Sequence, residues 1–237
     1  MTSKEPLLRI EDVVKKFGEI FALDHCSFSI EAGTITGLIG PNGAGKTTLF
    51  NLITGVLAPD QGRIYLRGEE ITGKKPYQIA RMGVGRTYQI IRVFPRMTLL
   101  ENLMVVGRGK EGKAQERAMD LLRLVRLADK KNEYASDLSF GQQKLLSLAQ
   151  VLMLDAELVL LDEPAAGINP TLQNELMGLI HQLNREGKTF IIVEHDMNVI
   201  MGHCQNAIAL NYGQKIAEGS CSEIQQDETL LEHYFGR

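Results

Sequence analysis

Ile35-Thr36-Gly37-Leu38-Ile39-Gly40-Pro41-Asn42-Gly43-Ala44-Gly45-Lys46-Thr47-Thr48 is the stretch on which the fold turns. It opens as a short β-rich run and closes in the pattern GxxxxGK[ST], with a helix predicted from about Lys46 to Thr54. Gly40, Gly43 and Gly45 lack Cβ atoms, so the backbone from Gly40 through Pro41, Asn42, Gly43, Ala44 and Gly45 can wrap closely and aim its N–H groups at phosphate oxygens. Lys46 supplies a cation for the terminal phosphates, the Thr47 hydroxyl is placed to ligate Mg²⁺, and Thr48 follows at the start of the helix. That helix adds the positive end of its dipole. A plain glycine-rich join between strand and helix has no need of a lysine followed by two threonines there. The stretch therefore predicts a nucleoside-triphosphate site, without choosing a family.

Two more apolar runs lie downstream. Leu158-Val159-Leu160-Leu161 and Phe190-Ile191-Ile192-Val193 are near-continuous, as for central strands covered on both faces. Alternating with helical patterns, they predict an α/β sheet with crossovers. Ligands of such sheets bind beyond the carboxyl ends of the strands, and each of the three runs ends in residues suited to phosphate chemistry. The second ends in Asp162-Glu163. A carboxylate straight after four apolar residues is costly to bury unless it is paired or metal-bound. Asp162 suits direct or indirect Mg²⁺ binding, and Glu163 suits polarising a water for in-line attack; a pair of solvated loop carboxylates is the plainer alternative. The third run ends in Glu194-His195-Asp196, where His195 is placed to donate to a γ-phosphate, although a lone histidine after a strand is commonly structural.

The remainder divides in two. Residues 1–30 and 63–66 alternate in polarity, with a turn at Gly68, and predict a smaller antiparallel sheet; residues 207–217 read as a hairpin turning at Asn211-Tyr212-Gly213. Residues 90–157 read as a helical insertion. Apolar residues at helical spacing predict one helix over 111–129, and a second begins just after Ser139. The expected organisation is a core of residues 1–89 and 158–237 interrupted by a helical unit at 90–157.

Composition sets bounds. The 237 residues carry a formal net charge of −3, with 44% hydrophobic and 23% charged residues. That is ordinary for a globular protein and lacks the basic excess of a general nucleic-acid binder. The three cysteines, Cys26, Cys204 and Cys221, offer no CxxC, so a reducing cytosol is expected, with Cys26 and Cys204 as buried fillers. Residues 1–8 show no apolar run of signal-peptide length, and no stretch reaches 18 uncharged apolar residues, so no membrane span is expected.

Leu138-Ser139-Phe140-Gly141-Gln142-Gln143, ahead of a helix and upstream of Asp162, resembles the signature motif of the nucleotide-binding subunit of ATP-binding cassette (ABC) transporters. The resemblance covers nearly the whole chain, with Phe140 departing from the family's usual first glycine. Ser139 is a good N-cap, Gly141 allows close approach of the backbone, and the helix start is a second anion site. The resemblance implies a P-loop NTPase (RecA-like) core with an antiparallel β subdomain and an inserted α-helical subdomain. It implies ATP and Mg²⁺ as ligands, held by two subunits head to tail, with Ser139, Gly141 and Gln142 facing the nucleotide of the partner. Gln89 resembles the loop glutamine that contacts Mg²⁺ or the attacking water. Phe17 lies where relatives stack an aromatic ring on adenine; a core phenylalanine is the other reading. The loop Ala165-Ala166-Gly167-Ile168-Asn169-Pro170 resembles the family's dimer-interface loop, and Asn169-Pro170 also reads as a helix start.

Glu163-Pro-Ala-Ala-Gly-Ile-Asn-Pro170, Arg86-Thr-Tyr-Gln89 with Phe94-Pro95, Glu194-His-Asp-Met197 and the closing Leu230-Leu231-Glu232-His233-Tyr234-Phe235-Gly236 are similar to bacterial importers of branched-chain amino acids and related solutes, within them the LivG type. Such a subunit hydrolyses ATP at the inner face of the cell membrane, with polytopic transmembrane permease subunits and a second ATPase subunit, identical or related, as partners; the helical unit, with the Gln89 loop and nearby Arg92 to Met97, is the expected docking surface. The alternatives are a soluble cassette acting on nucleic acid or ribosomes, a P-loop GTPase and a non-catalytic cassette. The first usually carries two cassettes or a coiled-coil insertion, the second needs an Asn-Lys-x-Asp sequence absent here, and Glu163 with His195 opposes the third.

Overall fold

The alternation read in residues 1–30 and 63–66 resolves into an antiparallel sheet in the computed structural model, which describes residues 5–107 and 111–226. Strands β1 (Leu8–Phe17), β2 (Ile20–Ile30), β3 (Ile35–Ile39), β4 (Gln61–Leu66) and β5 (Glu69–Glu70) come first, with helix α1 (Lys46–Ile53) following β3. Helix α2 (Pro76–Arg81) and strand β6 (Val84–Arg86) lead to α3 (Leu99–Met104), α4 (Glu111–Leu124) and α5 (Phe140–Met153). The chain then alternates through β7 (Leu158–Asp162), α6 (Pro170–Arg185), β8 (Thr189–Val193) and α7 (Met197–His203), and continues into the hairpin β9 (Asn206–Asn211) and β10 (Gln214–Ser220), followed by the short helix α8 (Cys221–Gln226).

Two sheets form. The smaller runs β2-β1-β4-β5, all antiparallel; the larger runs β10-β9-β3-β8-β7-β6, parallel except for the β10 edge. β3, β7 and β8 are buried at every position, and their alternate side chains enter two different cores. Ile35, Ile39, Val159, Leu161, Phe190 and Ile192 share one cluster with apolar residues of α3 to α6. Leu38, Leu158, Leu160, Ile191 and Val193 share the other with α1 and the antiparallel sheet. The period-two alternation of a strand thus glues helices to one face and the smaller sheet to the other. Helices α3, α4 and α5 all lie between residues 90 and 157, and their apolar faces merge with the first cluster.

The hairpin turns at Tyr212-Gly213, with φ of 45° and 79°, as a two-residue turn matched to strand twist requires. Cys26, Cys204 and Cys221 are free and buried, and burial pushes the Cys26 thiol up to about 11. Two expectations are corrected. The helix expected over 111–129 stops at Leu124, because Arg126 adopts a left-handed φ of 58° and the chain resumes as a short 3₁₀ turn at Ala128–Lys130. Phe17 is no core residue: it ends β1 beside the hairpin to β2 and is 51% exposed. No described helix is long and apolar enough to cross a membrane. Residues 1–4 and 230–236, used in the sequence reading, lie outside the described residues.

Candidate active site

Adjacent parallel strands bring four loops together. β3, β8, β7 and β6 are neighbours in that order, with Leu38 and Asp162 each paired to Val193 across the ladder. The residues just past their carboxyl ends therefore converge: Gly40 to Lys46 after β3, His195 after β8, Glu163 after β7, and Gln89 after β6.

The phosphate loop is held by its own chain. Gly40 and Gly45 have φ of 158° and 104°; a Cβ on Gly40 would lie 2.5 Å from the Leu210 carbonyl oxygen, and one on Gly45 would lie 2.4 Å from that of Ala22. Only glycine fits between β9 on one side and β2 on the other. A Cβ on Gly43 would meet nothing within 4 Å, so that glycine serves the open face of the loop. The Gly213 N–H donates to Ala44 at 3.1 Å, and the Asp24 N–H donates to Gly213 at 2.9 Å, tying the loop to the turn of the last hairpin. The Lys46 amine donates to the Gly40 carbonyl at 2.5 Å and to that of Pro41 at 3.0 Å. Burial draws this ammonium below the usual lysine range, and the Glu163 and Asp162 carboxylates oppose that shift.

The start of α1 fits a phosphate. Helices α3, α5, α6 and α7 are capped by the side chains of Thr98, Ser139, Asn169 and Asp196. Helix α1 has Gly45 as its N-cap, with no side-chain cap and no acidic residue in its first turn. Its leading N–H groups and dipole are thus left to an anion, and Thr47 and Thr48 lie in that same turn.

Glu163 sits at the centre of the convergence. Its Oε1 lies 2.8 Å from His195 Nε2, and its Oε2 accepts from Gln89 Nε2 at 3.1 Å. Gln89 is surface-exposed, so only this hydrogen bond separates it from an ordinary loop glutamine. The backbone of Glu163 is left-handed, φ 50°.

Asp162 is no solvated loop carboxylate. It is 7% exposed and its Oδ2 accepts from Arg86 Nη2 at 2.9 Å. Arg86, 4% exposed in its side chain, also donates from Nη1 to Asn51 Oδ1 at 2.6 Å, and its guanidinium lies over Phe50 and Tyr88. The Arg86 Nε is buried without a partner among the described residues. Asn51 belongs to α1, so one cation joins the β7 carboxylate, the phosphate-loop helix and the strand leading to Gln89. Thr87 Oγ1 accepts from the Asp162 N–H at 3.3 Å.

The signature segment starts α5. Ser139 Oγ accepts from the Gln142 N–H at 3.4 Å, and Gln142 Oε1 accepts from the Ser139 N–H at 3.0 Å, a reciprocal cap. Gly141 also packs closely within its own chain. A Cβ there would lie 2.1 Å from Leu172 Cδ2, so α5 lies close against the side chain of Leu172 on α6. Phe140 takes up the space beside Gly167, whose Cβ would meet its ring at 3.1 Å. Phe17 lies with Ile20 and Phe21 on an exposed apolar hairpin whose strand β2 reaches the loop at Ala22 and Leu23.

Three residues near the centre have partners that the sequence did not assign: Arg86 and Glu194, which it offers only within longer strings, and Lys144. Glu194 is buried and its Oε1 accepts from the Ala165 N–H at 2.7 Å; burial raises its carboxyl above the usual range, against hydrogen bonding from Ala165 and the charge of Lys144. A charged residue following a buried strand was the available signal.

A glycine loop with a lysine, set beside paired acidic residues at the ends of parallel strands, defines a phosphate-loop nucleoside triphosphatase. The ABC transporter family model matches residues 23–166. The chain is 37% identical to the high-affinity branched-chain amino acid transport ATP-binding protein LivG of Salmonella typhimurium, across 98% of each chain. Among solved structures, the ADP conformation of MJ1267, an ATP-binding cassette of an ABC transporter, superposes with a TM-score of 0.90 at 33% identity, covering 99% of this chain and 100% of that one. A dimeric post-hydrolysis state of the cassette MJ0796 bound to ADP and Pi matches with a TM-score of 0.80 at 26% identity, over 90% of this chain and 98% of the other. The chain belongs to the ABC transporter family, as an ATP-binding and ATP-hydrolysing subunit. The alternative of a cassette acting on nucleic acid or ribosomes finds no support in these relatives.

Proposed function

We propose that this ATPase powers import of branched-chain amino acids or related solutes through transmembrane permease subunits, working at the inner face of the cell membrane in a dimer with an identical or related cassette. The observation that carries the catalytic part is the Glu163 carboxylate, engaged on one oxygen by His195 and on the other by Gln89.

In this scheme the N–H groups from Gly40 to Thr48, through Pro41, Asn42, Gly43, Ala44 and Gly45, bind the phosphates, and the Lys46 amine turns from its own loop carbonyls to the terminal phosphates. Phe17 stacks on the base from its exposed hairpin. Thr47, Asp162 and the carbonyl end of Gln89 would hold Mg²⁺, which supplies positive charge to the phosphate oxygens. Glu163 takes the proton of the attacking water. His195 donates to the transferring phosphoryl group, and its hydrogen bond to Glu163 keeps the imidazole pointed at the site. Ser139, Gly141 and Gln142 of the second subunit close over the same phosphates. Helices α3 to α5, within residues 90–157, form a lobe beside the core made by 1–89 and 158–237, and this lobe, with the Gln89 loop and residues 92–97, docks the permease.

Glu163→Gln keeps ATP binding, loses turnover and accumulates an ATP-dependent dimer on size-exclusion chromatography. Turnover retained within tenfold would overturn the role of Glu163. Lys46→Ala abolishes tight ATP binding, and undiminished affinity would refute the phosphate-loop assignment. For the solute, uptake of labelled leucine, isoleucine and valine is measured in cells with this gene deleted. Unchanged uptake of all three would discard that substrate class.

A further inference from the structure

Lys144, one turn into α5, has a side chain that accounts for all three of its N–H donors. Its amine donates to the backbone carbonyls of Glu163 at 2.7 Å, Pro164 at 3.1 Å and Ala166 at 2.5 Å. An ammonium carries three donors and no acceptor, so the three carbonyls saturate it. The ring of the preceding Phe140 lies 5.4 Å from the same nitrogen and Phe140 itself packs beside Gly167. The segment bearing Glu163 and the following loop is thus fastened to the signature helix by one side chain.

The fastening falls where the backbone needs it. Glu163 has a left-handed φ of 50°, a conformation that costs a non-glycine residue about 1 kcal/mol or more and persists only where neighbours impose it. Its N–H is fixed by the Val193 carbonyl at 2.9 Å, and its carbonyl by Lys144. Burial draws the Lys144 ammonium below the usual lysine range, opposed by the Glu194 and Glu163 carboxylates. A half-buried ammonium on three backbone oxygens has a defined geometry that a surface lysine lacks.

We infer that Lys144 is a positioning residue for hydrolysis: it sets the direction of the Glu163 carboxylate and makes that direction depend on the signature helix of the same chain. The second half rests on the dimer proposed above, in which Ser139 at the start of α5 faces the nucleotide of the partner. Movement of α5 on that nucleotide is then felt by this chain's own Glu163, so each of the paired sites reports its occupancy to the other.

Hydrogen exchange on the nucleotide-free full chain separates the two halves. In Lys144→Met, which keeps an apolar stem without donors, amides over residues 163–167 exchange at least tenfold faster, while β7, β8 and α1 keep wild-type protection. Lys144→Arg, which retains donors, restores slow exchange to within threefold. In ATPase assays Lys144→Met loses at least tenfold in kcat with KM within threefold, Lys144→Arg recovers most of it, and the Hill coefficient for ATP falls to about 1 in Lys144→Met. Should Lys144→Met fail to fold, Lys144→Gln, with two N–H donors, takes its place with a smaller loss. Local exchange and kcat both within twofold of wild type overturn the inference. So does protection lost equally across the strands, which marks a packing role. If wild type itself has a Hill coefficient of 1 and Glu163→Gln forms no dimer, the dimer fails, while exchange and kcat still decide the positioning role.

Discussion

Replacing Arg86 by methionine tests whether the Asp162 carboxylate is held by charge or merely buried. Methionine keeps much of the apolar stem between Phe50 and Tyr88 but removes the ion pair to Asp162 and the hydrogen bond to Asn51. With both partners under 10% exposed, Asp162 is left as an uncompensated buried charge, an arrangement that costs about 3–5 kcal/mol when one partner alone is removed. Against a typical total of roughly 5–15 kcal/mol, that is about a fifth of the stability or more. The assay is urea unfolding of the nucleotide-free chain, with free energies taken from midpoint and slope. Arg86→Met combined with Asp162→Asn recovers most of the loss, since removing both charges leaves neither stranded. Repeating the measurement at about 1 M NaCl, where surface pairs are screened within roughly 3 Å, leaves the difference in place. A single-variant cost under about 1 kcal/mol, or a double variant no better than the single, would refute the reasoning.

Gly45→Ala drives a Cβ onto the Ala22 carbonyl at a φ of 104°; it lowers stability by more than about 1 kcal/mol in thermal melts and weakens ATP binding. Ser139→Ala removes the cap of α5 and costs about 1 kcal/mol in urea unfolding, whereas Ser139→Asp restores it. The Glu194 carboxyl is raised from 4.5 by burial, so the native state holds its proton more tightly than the unfolded chain. Its contribution is complete below about pH 4.5 and is lost as pH rises through the higher native value. Glu194→Gln, which keeps an acceptor for the Ala165 N–H, flattens that part of the stability profile in melts across pH 4–8 on an order-of-magnitude scale. Asn102, wholly buried, donates to the carbonyls of Phe94, Met97 and Thr98 and accepts from the Phe94 N–H. Asn102→Leu strands those groups and costs about 3 kcal/mol or more, measured by urea unfolding.

The parts legible in sequence were those that repeat or cap. β3, β7 and β8 announced themselves as apolar runs, and the loop after Gly40 by its glycines and Lys46. Ser139 and Asn169 were visible as caps because N-capping is decided within four residues. Long-range partners were not legible. β6 is three residues with a glycine inside, too short for a period, so Arg86 looked like part of a loop string and its pairing with Asp162 went unread. Lys144 read as one polar position on an amphipathic helix; nothing local specifies three carbonyls about twenty residues away. The early end of α4 depended on a left-handed Arg126, which no helix-breaking residue marks. The close neighbour of Gly141, Leu172, lies on α6, outside its own motif.

The phosphate loop is wedged between β2 and the turn at Tyr212-Gly213, with Gly40 against Leu210 and Gly45 against Ala22. A loop cast by its surroundings has little freedom left to surrender when a nucleotide arrives, so most of the contact energy appears as affinity. The mould, however, is assembled from opposite ends of the chain. A substitution at the last hairpin, remote from every motif, would therefore present itself in the laboratory as a defect in ATP affinity, with the loop sequence itself intact.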